Sequence, residues 1–84
     1  MKNQFKNKPE VIAKTTAMTR QIGANIRKYR KAKGWTQADL AFASGYCLGR
    51  ISAFENGKFY RISVVNRMAK ALGIENAYDL LEGI

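Results

Sequence analysis

Apolar residues recur along this chain at helical spacing, and the intervals between them carry the residues that start and stop helices. Ile22, Ile26 and Tyr29 fall at i, i+4 and i+7 on one face, and the basic run KYRKAK closes that stretch before Gly34. The pattern predicts a helix ending near Lys33. Pro9 suits a first helical position and Thr19 an N-cap, so the start has two readings, and a break near Thr19 is the expectation. Three further helices announce themselves by a side-chain acceptor ahead of an apolar period: Thr36 with Asp39 three residues on, Ser63 before VVNRMAKAL, and Asn76 before AYDLL. Gly45, Gly57 and Gly73 each follow an apolar stretch where a left-handed residue ends a helix. No useful length of strand alternation and no internal repeat is present. The prediction is an all-α, compact bundle of about five helices, with Ile22, Ile26, Leu40, Ile51, Phe54, Val65, Met68, Leu72 and Leu80 as its core.

Composition narrows the class. With 46% hydrophobic and 25% charged residues, the 84-residue chain has enough apolar material for one modest core and little room for an enclosed active-site cavity. The single cysteine, Cys47, excludes an internal disulfide, and with no histidine there is no soft-metal cluster to build. Cys47 is expected to be a small, partly buried filler without chemistry of its own. No apolar run spans a bilayer and MKNQFKNKPE lacks the apolar middle of a signal peptide, so the expectation is a cytoplasmic chain with no membrane partner. The acids are scattered without a paired arrangement, and neither an enzyme, a cofactor nor a small-molecule ligand is evident.

Charge changes the picture most. The formal net charge is +9, from 15 Lys and Arg against 6 Asp and Glu. Residues 1–33 hold ten of the cations and one acid, Glu10, whereas the remainder balances. A merely soluble surface does not require such one-sidedness, and a polyanionic partner does. Residues 1–18 read as a basic arm with room for a partial helix, and 19–84 as the folded domain.

The segment RKAKGWTQADLAFASGYCLGRISAFENG resembles the helix-turn-helix of the lambda-repressor-like family, the Cro and xenobiotic-response-element type regulators; the match runs from residue 22 to about 81. Its parts have physical reasons. Gln37 opens the first motif helix, Ala41 is small where the second crosses it, Gly45 takes the turn, and Ile51 with Leu40 and Phe54 fills the wedge. The resemblance implies a sequence-specific regulator of double-stranded DNA, a repressor by expectation. A recognition helix of about 47–56 would lie in the major groove, and a homodimer through the C-terminal IENAYDLLEGI would span two half-sites. It also admits an antitoxin-like or other protein-interaction module on the same fold.

By the same resemblance, Gln37, Asn56, Lys58 and Arg61 map onto phosphate contacts. Cys47, Leu48, Gly49, Ser52 and Ala53 map onto the outward face of the recognition helix, with Arg50 at its flank. Arg30 and Glu55 map onto a structural ion pair. The outward face departs from the usual polar readers of the family. Arg50 alone could make a strong guanine contact, so the expected readout leans on shape, apolar contact from Leu48 and Ala53, close approach at Gly49, and a few hydrogen bonds from Ser52 or Tyr46.

Overall fold

The computed structural model describes residues 9–59 and 61–84, with side-chain surroundings from residue 17 onward. Of the expected basic arm of residues 1–18, residues 1–8 lie outside the described residues and residues 9–18 belong to the first helix. Four α-helices follow one another as α1 (Pro9–Ala32), α2 (Gln37–Ser44), α3 (Leu48–Glu55) and α4 (Ile62–Ala71), and a 3-10 helix (Ala77–Leu81) closes the chain. No strand occurs among the described residues. The fifth expected helix is thus a short 3-10 segment; its Asn76 side chain accepts from the Tyr78 backbone N–H at 3.0 Å, as its position ahead of AYDLL predicts.

The expected break at Thr19 is absent. Helix α1 runs unbroken for 24 residues and Thr19 is buried within it. Pro9 sits where proline is tolerated and nothing between it and Ala32 stops a helix, because the one interior glycine, Gly23, serves packing instead. Ser63 is not the cap of α4. Arg61 takes the extended N-cap conformation and Ile62 is the first helical residue, at no loss of burial, since the Ile62 side chain points outward while Val64, Val65, Met68 and Ala69 face the core.

The α2 start follows its sequence signature closely. The Thr36 hydroxyl accepts from the Asp39 N–H at 3.1 Å and the Asp39 carboxylate accepts from the Thr36 N–H at 2.8 Å, a reciprocal capping box. Gly45, at φ +80°, ends the helix by donating to the Ala41 carbonyl at 2.9 Å.

One core joins all five elements. Ile26, Leu40, Ile51, Met68 and Leu80 are its largest fully buried side chains, and all nine expected core residues are buried. Phe59, Val64 and Ala69 belong to it as well. The C-terminal segment is tied to α1 through buried Asn25, whose Nδ2 donates to the Leu80 carbonyl at 2.9 Å and the Glu82 carbonyl at 2.8 Å. Lys28 adds an exposed ion pair to Glu82 at 3.0 Å, and hydrogen bonding to that carboxylate raises the Lys28 pKa. Among the described residues, no helix is long and apolar enough to cross a membrane.

Candidate nucleic-acid interface

The outer face is built by α3 and the turns that flank it. Cys47 is the extended N-cap of α3 but makes no side-chain cap bond, and it is exposed, not the partly buried filler the composition predicts. The position precedes the first helical turn, whereas Ile51 and Phe54 are the apolar residues that carry α3 into the core. Leu48, Gly49 and Arg50 are exposed as well, and Ser52 and Ala53 are half-buried at the edge of the same face. Nothing crowds Gly49: a Cβ there would meet no atom within 4 Å.

The two ends of α3 are held differently. At its start, the Tyr46 ring packs edge-on to Phe54 with centroids 4.8 Å apart, and Arg67 from α4 lies over it, with the guanidinium carbon 4.6 Å from the ring centre. The same Arg67 donates from Nε to the Ser44 carbonyl at 2.9 Å, which ties α4 to the turn between α2 and α3. Charge, aromatic face and a helix-end carbonyl therefore converge on the turn that sets the direction of α3. Arg67 carries no sign of this role in the sequence, where it is one more cation on the half-polar face of a helix.

At the other end, Glu55 is a buried carboxylate with a side chain 0% exposed. Arg30 donates to it from Nε at 2.6 Å and from Nη2 at 3.2 Å, Gln37 from Nε2 at 3.0 Å, and Arg27 from Nε at 3.3 Å. Burial pushes its carboxyl pKa up, but the hydrogen bonds from Arg30 and Gln37, the Arg30 charge and the Arg27 bond outweigh it, and the group is held below its ordinary value. The structure brings Arg30, Glu55 and Gln37 together, and it adds Arg27. Close approach makes this possible. A Cβ on Gly23 would sit 2.5 Å from the Phe54 carbonyl oxygen and 2.6 Å from that of Glu55, so α1 meets the end of α3 backbone to backbone.

The remaining expected contacts lie around the turn after α3. Asn56 folds back on its own helix, donating from Nδ2 to the Ser52 carbonyl at 3.0 Å. Gln37 commits one amide proton to Glu55, while its backbone N–H lies in the open first turn of α2. Lys58 and Arg61 are exposed, and with Arg50 they stand around a hollow of about 270 Å³ beside α3. Among the described residues none of these three cations has a hydrogen-bond or ion-pair partner.

Two short helices joined through a left-handed glycine, the second exposing its outer face and packed across the first, define a helix-turn-helix. The helix-turn-helix family model HTH_3 matches residues 26–77, and the chain belongs to this Cro/C1-type family of DNA-binding regulators. It is 38% identical over 61 residues to a hypothetical transcription factor of Neisseria meningitidis serogroup B, an overlap of 71% of this chain and 57% of that protein. The chain thus spans little more than half the length of that relative. It is also similar to the crystal structure of the hypothetical transcription factor NHTF from Neisseria, with a TM-score of 0.70 and 35% identity over 76% of this chain and 74% of that one.

Proposed function

We propose that the chain is a sequence-specific, double-stranded-DNA-binding transcriptional regulator, a repressor acting in the cytoplasm, with α3 and its flanks at 47–56 in the major groove. The observation that carries this reading is the sign of the surface. The one acid at the end of α3, Glu55, is buried, its charge paired with Arg27 and Arg30 and its carboxylate hydrogen-bonded by Gln37, so the face presented by Leu48, Gly49, Arg50, Ser52 and Ala53 bears no negative charge toward phosphate. Lys58 and Arg61, the open N–H groups at the start of α2 and the second amide proton of Asn56 are the phosphate anchors in this reading, to which the basic stretch of residues 1–18, continuous with the folded domain through α1, adds its cations.

A homodimer fits the C-terminal half. Ile62 is 67% and Tyr78 75% exposed, and they flank an apolar hollow between α4 and the 3-10 helix that Val65 and Leu81 also line. A two-fold pairing across that hollow would cover it and set two recognition helices for half-sites about one helical turn apart. The antitoxin-like alternative draws its support from Phe42, 93% exposed on the outer side of α2, where an apolar ring suits a protein more than a phosphate.

Selection of random duplexes on the purified chain tests the proposal. Enrichment of a palindromic site, with salt-sensitive retention, is the expected result. A pool that stays random while the protein is folded would remove the DNA reading and leave the protein-interaction one.

A further inference from the structure

The hollow beside α3 has a chemistry that DNA anchoring does not exhaust. Arg50, Lys58 and Arg61 stand at its rim, no acid lines it among the described residues, and the buried Phe54, Phe59 and Val64 form its floor. Three like charges around an apolar floor repel one another, and the nearest carboxylate in sequence, Glu55, is already consumed inside the fold. A phosphate diester would satisfy the cations at the rim but leave the floor unused. At about 270 Å³ the hollow is smaller than the roughly 300–1,000 Å³ of clefts that take drug-sized ligands, and it matches a single ring or a branched chain.

We propose that this hollow is a binding site for a small amphipathic anion, such as an aromatic or branched-chain carboxylate, and that its occupancy and DNA binding exclude one another. The anionic head lies between the guanidinium groups of Arg50 and Arg61, which present paired donors to a carboxylate, with the Lys58 ammonium as a third charge. The apolar body displaces water from Phe54, Phe59 and Val64. Exclusion follows because Lys58 and Arg61 serve both partners. That second half rests on the DNA reading above; the first does not.

The test separates them by using the full chain without DNA first. 4-(Trifluoromethyl)benzoate is titrated and followed by fluorine NMR, with the methyl resonances of Val64 and the ring of Phe59 as reporters on the protein. The expected result is saturable binding that shifts both reporters. Replacing the head by a neutral one, in 4-(trifluoromethyl)benzyl alcohol, or omitting the body, with acetate, should weaken binding about tenfold in each case. Arg61→Ala and Arg50→Ala should each cost about tenfold too, while Lys70→Ala, on exposed surface elsewhere, should leave binding unchanged. Failure to saturate by about 10 mM, equal binding of the alcohol, or indifference to both arginine variants overturns the site. In the second arm a labelled duplex from the selection is bound first and the benzoate added. Displacement supports exclusion, and a ternary complex overturns it. A chain that binds the benzoate but no duplex at all overturns the DNA reading and, with it, exclusion, while the site stands.

Discussion

Arg30 Nε lies 2.6 Å from Glu55 Oε2 and Arg30 Nη2 3.2 Å from Glu55 Oε1, so a two-pronged pair joins the last turn of α1 to the last residue of α3. The Glu55 side chain is fully buried and that of Arg30 is 9% exposed. Removing one partner of such a pair leaves the other charge uncompensated, at about 3–5 kcal/mol. Glu55→Gln should therefore lower the melting temperature by roughly 12 °C or more, at about 4 °C per kcal/mol for a domain of this size. Arg27, half exposed at the same carboxylate, should matter little, at most about 1 kcal/mol when changed to alanine. Thermal denaturation of the two variants checks the order; equal losses would contradict it.

The same carboxylate makes stability depend on pH. Its folded pKa lies below the ordinary 4.5, so the folded state holds the ionised form more strongly than the unfolded chain does. The stabilisation is fully present above the ordinary value and is lost as pH falls through the depressed one. Urea midpoints of the wild type should thus converge on those of Glu55→Gln as the pH is lowered from 7 into the range below 4.5, with the gap constant at neutral pH. A gap that stayed constant through the acid range would show that the pair is not what the variant removes.

At Gly23 helix propensity and packing pull in opposite directions. Alanine gains about 1 kcal/mol in a helix interior, but its Cβ would stand 2.5 Å from one backbone oxygen and 2.6 Å from the next, and backbone yields less readily than a flexible side chain. Overpacking of this kind costs about 1–3 kcal/mol and more when no side chain can move aside. Gly23→Ala should be net destabilising, whereas at the uncrowded Gly49 the same change should stabilise α3. Chemical denaturation of both variants decides it.

For DNA binding, Lys58→Ala and Arg61→Ala should weaken every duplex alike and flatten the salt dependence by about one unit for each phosphate no longer neutralised. A change in the preferred sequence would reassign these cations to base contact.

Leu48→Gln and Ala53→Glu address the proposed reading face. Both positions lie outside the buried set of α3, so the fold should persist while site preference is abolished or redirected. Two variants with wild-type affinity and preference would move recognition away from α3.

Much of the fold was legible because local chemistry settles it. The Thr36–Asp39 box, the Asn76 cap and the glycine at 45 each act within a few residues, and the apolar periods name the core without reference to distant segments. What escaped was decided across the chain. Thr19 reads as a cap only until the unbroken helix around it is known, Gly23 reads as a weak helix position until the α3 carbonyls are set beside it, and Phe59 lies in a connector with no period to expose it. Arg27 and Arg67 look like surface cations, and only the third dimension gives them Glu55 and the Tyr46 ring. The outward face of α3 was placed by family resemblance, because Leu48, Gly49, Ser52 and Ala53 carry no chemical mark of a reader.

Clamping α3 at both ends, by Arg67 on the turn before it and by the arginines on Glu55 after it, makes the helix a stiff gauge. In the proposed complex such a helix would not bend to follow an irregular groove, and the mismatch would fall on the duplex. Base steps that unstack or twist easily would accommodate it at the least elastic energy, and sites would be ranked by mechanical compliance at positions no side chain touches.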